Sequence, residues 1–155
     1  MFWAKFTFVA VLLAGAVAGV LRASRPGAPM NRLAWVLAAP VAAMWLLAAA
    51  DLAGAQPDER VALMLGQTWQ VCFFRIALLS LPAFAAVLWA MRGLAPTRLR
   101  IAGAAAGLCA GAIGALAYTI HCPELSAAFL GTWYVLGMLI PAAAEALIGP
   151  WTLRW

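Results

Sequence analysis

The chain has 155 residues, of which 67% are hydrophobic and 10% are charged. Soluble domains are about 45–50% apolar and about 25% charged, and a domain of this size could not cover so much apolar surface. The composition therefore excludes an ordinary soluble domain and a disordered chain. The net charge of +5 does not indicate a nucleic-acid-binding protein, because the basic residues lie at the edges of apolar runs and form no basic face.

Five apolar runs make up most of the chain, and each approaches the roughly 20 residues that a membrane-crossing helix needs. They cover residues 6–21, 33–53, 69–91, 99–120 and 126–148. Lipid offers no hydrogen-bond partners to the backbone, and the runs are too long and too uniformly apolar for barrel strands. The sequence therefore predicts an all-α, polytopic transmembrane helical bundle that forms a single integral-membrane domain over residues 1–155.

The basic residues are distributed unevenly between the two sets of connections. One set, together with the C-terminus, contains seven arginines: Arg22, Arg25, Arg32, Arg92, Arg98, Arg100 and Arg154. The other set contains only Lys5 and Arg60. Because Lys and Arg favour the cytoplasmic side, we predict that the Arg-rich connections and the C-terminus are cytoplasmic and that the N-terminus faces the other side.

The first 23 residues also have the parts of a secretory signal peptide, namely a lysine, an apolar run and small residues. Cleavage after this segment would place Arg22 and Arg25 on the outer side, against the charge pattern of the other connections. We therefore expect an uncleaved first span.

The fourth span contains Gly103, Gly107 and Gly111 at intervals of four residues. Such a face of small residues lets another helix approach closely, so we predict that these glycines pack helices together. Cys109, in the same span, is expected to pack as a small apolar group. Glu145, in the last span, is expected to be a lone carboxyl that faces the bundle interior or reaches the interface.

Two cysteines are predicted to lie at the non-cytoplasmic end of the bundle. Cys72 is near the outer end of the third span, and Cys122 lies in a turn with His121 and Glu124. One interpretation is a structural disulfide beside an ion pair between Arg75 and Glu124.

The other interpretation is a redox-sensing or metal-sensing site. Arg75 lies one helical turn from Cys72, and a guanidinium lowers the pKa of a neighbouring thiol. Cys72, Cys122 and His121, with Glu124, are a possible ligand set for a thiophilic metal ion, and no other cofactor is indicated. The residues alone leave both interpretations open.

No set of residues indicates an enzyme, since the chain has no Gly-rich phosphate loop, no Ser-His-Asp set and no paired carboxylates on one face. Two further functions remain open. One is a small-solute or ion transporter component built around Arg75 and Glu145. The other is a membrane thiol oxidoreductase, although the CxxC pair on which such enzymes usually rely is absent.

Several segments, taken in order, resemble one family, the NrsF negative regulators of sigma-F. These are Trp69–Cys72, Ser80–Pro82, Trp89–Arg98, the Ala-Gly repeats from Ala102, Tyr118–Glu124, Trp133–Met138 and Leu153–Trp155. The resemblance covers essentially the whole chain. It implies a bacterial inner-membrane anti-sigma factor with six spans and a cytoplasmic N-terminal segment, and we expect this sequence to correspond to the family without that segment and the first span. In such a bacterial inner-membrane protein, the N-terminus of this sequence is expected to be periplasmic.

The resemblance also implies two characteristic cysteines, which match Cys72 and Cys122, and a link to heavy-metal and oxidative stress. The expected function is thus a membrane-embedded negative regulator that restrains an extracytoplasmic-function sigma factor and senses metal or oxidative stress through its periplasmic-side cysteines. The expected partners are the lipid bilayer and a sigma factor at the cytoplasmic face, without nucleic acid.

Overall fold

A computed structural model describes residues 2–25, 27–29, 31–94, 96 and 98–153, which form helices and no strand. The helices are α1 (Phe2–Ala23), α2 (Asn31–Gly54), α3 (Pro57–Leu65), α4 (Trp69–Arg92), α5 (Leu99–Thr119) and α6 (Ala127–Thr152). A π-helical turn over Leu130–Tyr134 interrupts α6. Met1 and Arg154, which entered the prediction of orientation, lie outside the described residues.

Five helical segments are long and apolar enough to cross a membrane, which confirms the predicted fold class. They are Phe2–Ala23, Arg32–Gly54, Pro57–Arg92, Leu99–Thr119 and Ala127–Thr152. Four of the predicted spans differ from these segments by a few residues at their ends. The third differs more, because α3 and α4 follow one another with only a short turn between them.

Helix α3 occupies a region that the apolar pattern left as a connection. Pro57 lies at its start, and Asp58 and Glu59 lie in its first turn. Proline is preorganised for the first helical position, and acidic side chains there interact favourably with the helix dipole. These start signals, and not hydrophobicity, explain the helix. It ends at Gly66, whose φ of +58° favours glycine.

Helix α5 lies at the centre of the bundle. It packs most extensively against α6, and also against α4 and α1. Its sequence is rich in alanine and glycine, so neighbouring helices can approach closely, and it is the most buried of the five long helices. Helix α2 lies at the edge, where it contacts α1 and the first turns of α6.

The predicted glycine face of α5 lies against the backbone of α6. A Cβ atom at Gly103 would overlap the carbonyl oxygen of Glu145, and one at Gly107 would overlap that of Pro141. At Gly111, an added Cβ would lie 2.8 Å from another carbonyl oxygen of α6. The two backbones are therefore in direct contact along about two turns of α5.

Candidate functional site

Cys72 and Cys122 meet at one end of the bundle. Cys72 lies in the first turn of α4, Cys122 lies in the loop after α5, and their side chains are in hydrogen-bonding contact. Both are free thiols, with exposed fractions of 0% and 5%. Cys109 is also a buried free thiol, but it lies at the middle of α5, near Glu145 and away from the loop. The structure therefore brings together the two cysteines that the resemblance singles out.

Lys5 of α1 fastens the loop that contains Cys122. Its ammonium group donates hydrogen bonds to the carbonyl oxygens of Cys122, at 2.6 Å, and Glu124, at 3.2 Å. The side chain is fully buried, and its Nζ lies 6.0 Å from the ring centroid of Tyr134. A buried ammonium is costly without such partners. Lys5, which was counted with the connections on the basis of the sequence, is thus a buried side chain of α1.

Glu124 is bound by the turn between α3 and α4. Its Oε1 accepts hydrogen bonds from the backbone N–H of Gln67, at 2.6 Å, and from the hydroxyl of Thr68, at 3.4 Å. A Cβ atom at Gly66 would lie 2.7 Å from Oε2, so the turn accommodates the carboxylate because this residue has no side chain. The ion pair between Glu124 and Arg75, which belonged to the disulfide interpretation, is not formed between these two described residues, and the carboxylate binds this turn instead.

The loop after α5 and the π-helical turn of α6 also bind the end of α3. The hydroxyl of Ser126 donates to the carbonyl oxygen of Leu63 at 2.8 Å, and the indole N–H of Trp133 donates to that of Met64 at 2.9 Å. The last carbonyls of a helix have no partner within the helix, so these bonds complete the C-terminus of α3. The 121–126 loop is therefore held by α1, by the turn before α4 and by α3.

Arg75 and His121 lie beside Tyr118 and are both exposed. The guanidinium of Arg75 lies within hydrogen-bonding reach of the Tyr118 hydroxyl, and the ring centroids of His121 and Tyr118 are 6.4 Å apart. In the part of the chain that the structure describes, no three His, Cys, Asp or Glu side chains are placed to hold one metal ion. Metal binding by Cys72, Cys122 and His121 therefore stays a prediction, with only the two sulfur atoms in contact.

The surroundings of Cys122 favour its thiolate. The pKa of Cys122 is lowered to about 5, mainly by its interaction with the Cys72 side chain and against the opposing effect of burial. The backbone N–H of Glu124, the Tyr134 hydroxyl and the Lys5 ammonium also lower this pKa. The cation beside the thiols is thus Lys5, whereas the sequence pointed to Arg75. Because the thiolate is the nucleophile and the metal ligand, Cys122 is the more reactive member of the pair.

Lys5 and Tyr134 belong to this site although neither was predicted to, and the burial of Lys5 could have been predicted from its position in α1. Lys5 precedes Phe8, Val9 and Leu12 by three, four and seven residues, which places it on the buried face of α1. Tyr134 belongs to a run of aromatic residues that resembles an interfacial anchor, yet it is fully buried. Its hydroxyl lies beside Cys122 and Thr119 without meeting hydrogen-bond geometry to any described residue.

Glu145 lies in the bundle interior, where α6 meets α5. Its side chain is fully buried, and neither carboxyl oxygen has a hydrogen-bond partner among the residues that the structure describes. Of the two placements expected from the sequence, interior and interface, the structure has the interior one. Glu145 is not part of the thiol site.

The chain has relatives along its whole length. Residues 1–155 match the NrsF family, described as "Negative regulator of sigma F". The probable anti-sigma-F factor NrsF of Azospira oryzae is 56% identical over 155 residues, and the match covers 100% of this chain and 73% of that protein. The anti-sigma-F factor NrsF of Caulobacter vibrioides is 43% identical over 158 residues, with the same two coverages. No solved structure matches the chain. The chain therefore belongs to the NrsF family of negative regulators of sigma F.

Proposed function

We propose that this chain spans the bacterial inner membrane and restrains a sigma factor at the cytoplasmic face, with Cys72 and Cys122 as its sensor on the periplasmic side. Membership of a regulator family favours this function over transport and over thiol oxidoreduction. Five apolar helices and the uneven distribution of arginine support the membrane placement and the orientation.

One observation carries the sensing role, namely the contact between two thiols that come from different parts of the fold. Cys72 belongs to α4, whereas Cys122 belongs to a loop that Lys5 ties to α1. Any reaction that joins or separates the two sulfur atoms therefore changes the relative positions of α4, α5 and α1. A single buried thiol would not connect two parts of the fold in this way.

Two stimuli fit the chemistry of the pair. A thiophilic metal cation can bind the Cys122 thiolate and the Cys72 sulfur, with release of the Cys72 proton. A disulfide-bearing oxidant can instead accept two electrons from the pair, the Cys72 proton and one proton from solvent, which leaves a Cys72–Cys122 disulfide and two reduced thiols on the oxidant. Either product stabilises one helix packing over another, which is what a switch requires.

The proposed docking surface lies at the opposite end of the bundle. Arg22, Arg25 and Arg98 are exposed and line one small pocket between the connection after α1 and the start of α5. Helix α5 runs from this pocket to the 121–126 loop, so a change at the thiols reaches the arginines through one continuous helix. We infer that the arginines meet an acidic surface of the sigma factor.

The test compares Cys72→Ser, Cys122→Ser and the matched control Cys109→Ser in bacteria that express the chain with its sigma factor and a sigma-dependent reporter. We expect the Cys109 variant to repress the reporter and to respond to a cadmium salt or to a disulfide oxidant like the parent. We expect each of the other two variants to lose the response. Repression and response that are unchanged in both would overturn the sensing role.

A further inference from the structure

A second site lies on the outer surface between α4 and α5, separate from the thiols. It is a cleft of about 430 Å³. Its lining residues come from the first half of α4, the end of α5 and the following loop, and they are Arg75, Leu78, Leu79, Ala117, Tyr118 and His121. The polar members lie nearer the 121–126 loop, and the leucines lie further along α4 towards the middle of the bundle.

Arg75 is available for a ligand in this cleft. It is exposed, it lies beside the Tyr118 hydroxyl, and none of the carboxylates that the structure describes forms an ion pair with it. Glu124, the acidic residue expected from the sequence to neutralise it, is engaged by Gln67 and Thr68. A charged side chain within an apolar helix is costly, so its position calls for a partner of opposite charge.

The depth of Arg75 in the membrane indicates where a partner of opposite charge would lie. At 1.5 Å per residue, Arg75 is about 25 Å along α4 from Arg92, which ends the helix. Tyr118 is similarly about 28 Å along α5 from Leu99, where that helix begins. The hydrocarbon core of a bilayer is about 30 Å thick. With Arg92 and Leu99 at one edge of this core, both side chains lie within about 5 Å of its other edge, on the thiol side, where they can reach the phospholipid headgroups of that leaflet.

The donors of the cleft match a phosphate group. A guanidinium binds phosphate through two parallel hydrogen bonds, and the imidazole of His121 adds an N–H donor in either protonation state. Leu78, Leu79 and Ala117 offer an apolar surface below these donors, where an acyl chain attached to the phosphate would lie. We propose that this cleft binds the headgroup phosphate of an anionic phospholipid, such as phosphatidylglycerol, from the leaflet on the thiol side.

The test measures lipid binding to the purified full chain in detergent by native mass spectrometry, with phosphatidylglycerol and phosphatidylcholine as probes. The parent protein is expected to retain phosphatidylglycerol preferentially. Arg75→Gln should weaken this binding by about tenfold or more, because it removes charge-assisted hydrogen bonds. Arg60→Gln, which removes another exposed arginine at the same end of the bundle, is the matched control and should bind like the parent.

The remaining outcomes are also decisive. Equal loss in both variants, or no loss in either, would overturn the site, because binding would then follow net charge or other residues. Competition by millimolar inorganic phosphate as strong as that by the lipid would assign the cleft to the free anion and overturn the lipid.

If Arg75→Gln does not fold, Arg75→Lys replaces it, with an expected intermediate affinity because lysine keeps the charge but loses the two-bond geometry. Affinity like that of the parent in Arg75→Lys would overturn the proposal.

Discussion

Lys5 joins α1 to a loop that lies 117 residues further along the chain. Its partners are backbone carbonyls of Cys122 and Glu124, so the hydrogen bonds fix the position of the loop and not only of one side chain. Removal of the ammonium group would leave two carbonyls without their donor, and an unsatisfied buried polar group costs about 1–3 kcal/mol. One side chain thus influences both stability and the state of the thiols.

We therefore expect Lys5→Met to lower the free energy of unfolding by about 1–3 kcal/mol, measured by thermal unfolding of the purified chain in detergent. Methionine keeps the length of the side chain but donates no hydrogen bond. Arg60→Met is the control, since Arg60 is exposed on α3. Stability of Lys5→Met equal to that of the parent would show that the loop holds without Lys5.

The reactivity of Cys122 provides a second prediction at this scale. The interaction with the Cys72 side chain is the main cause of its low pKa, with Lys5 as a lesser cause. In a Cys109→Ala background, alkylation of Cys122 by a small reagent should therefore have its midpoint near pH 5. Cys72→Ala should move the midpoint upward, towards the usual value of about 8.5, and Lys5→Met should move it upward by less.

Peptide mass spectrometry after timed alkylation at several pH values gives the midpoint for each variant. The rate must rise with pH, because the thiolate is the reacting form. A midpoint near the usual thiol value in the Cys109→Ala protein itself would contradict the arrangement of donors around Cys122. Unchanged midpoints in both further variants would contradict the assigned causes.

At the scale of helices, the contact between α5 and α6 depends on glycines of α5, which have no side chains to hold the two backbones apart. The interval of four residues between its glycines predicted a face for close approach, but the sequence does not say which helix lies there. The structure identifies α6, whose carbonyl oxygens of Pro141 and Glu145 occupy the space beside Gly107 and Gly103. The periodicity of one helix is local information, whereas its neighbour depends on the whole bundle.

We expect Gly107→Ala to lower the free energy of unfolding by about 1–3 kcal/mol, because the new methyl group would push the two backbones apart. Gly54→Ala is the control, since a Cβ atom at Gly54 meets nothing within 4 Å. Thermal unfolding in detergent compares the two. A loss of stability that is equal in both variants would mean that the cost arises from the substitution of glycine and not from the helix contact.

At the scale of the whole molecule, hydrophobic content and run length were sufficient to predict the fold class and the five apolar helices. They did not predict α3, whose start is marked by proline and acidic residues and not by hydrophobicity. They also did not predict the partners of Glu124, because the turn that binds it is distant in sequence. Side-chain partners depend on tertiary contacts, which composition and periodicity do not contain.

The proposed orientation gives a prediction for the intact chain. In a variant without the three native cysteines, Gln56→Cys should react with a membrane-impermeant thiol reagent on intact spheroplasts. Leu94→Cys should react only after the membrane is permeabilised. Both positions are exposed, and they lie in connections on opposite sides of the predicted bundle. The reverse pattern of labelling would invert the orientation.

The bond between Lys5 and the 121–126 loop also has a consequence for biosynthesis. The ribosome makes α1 first, but the carbonyl acceptors of Lys5 are 117 residues further along the chain. At a translation rate of about 5–20 residues per second, they are made about 6–23 s later. During that interval the newly made first helix carries its ammonium group without its final acceptors. Completion of the helix bundle is therefore a late event, which occurs only when α5 and the following loop have been synthesised.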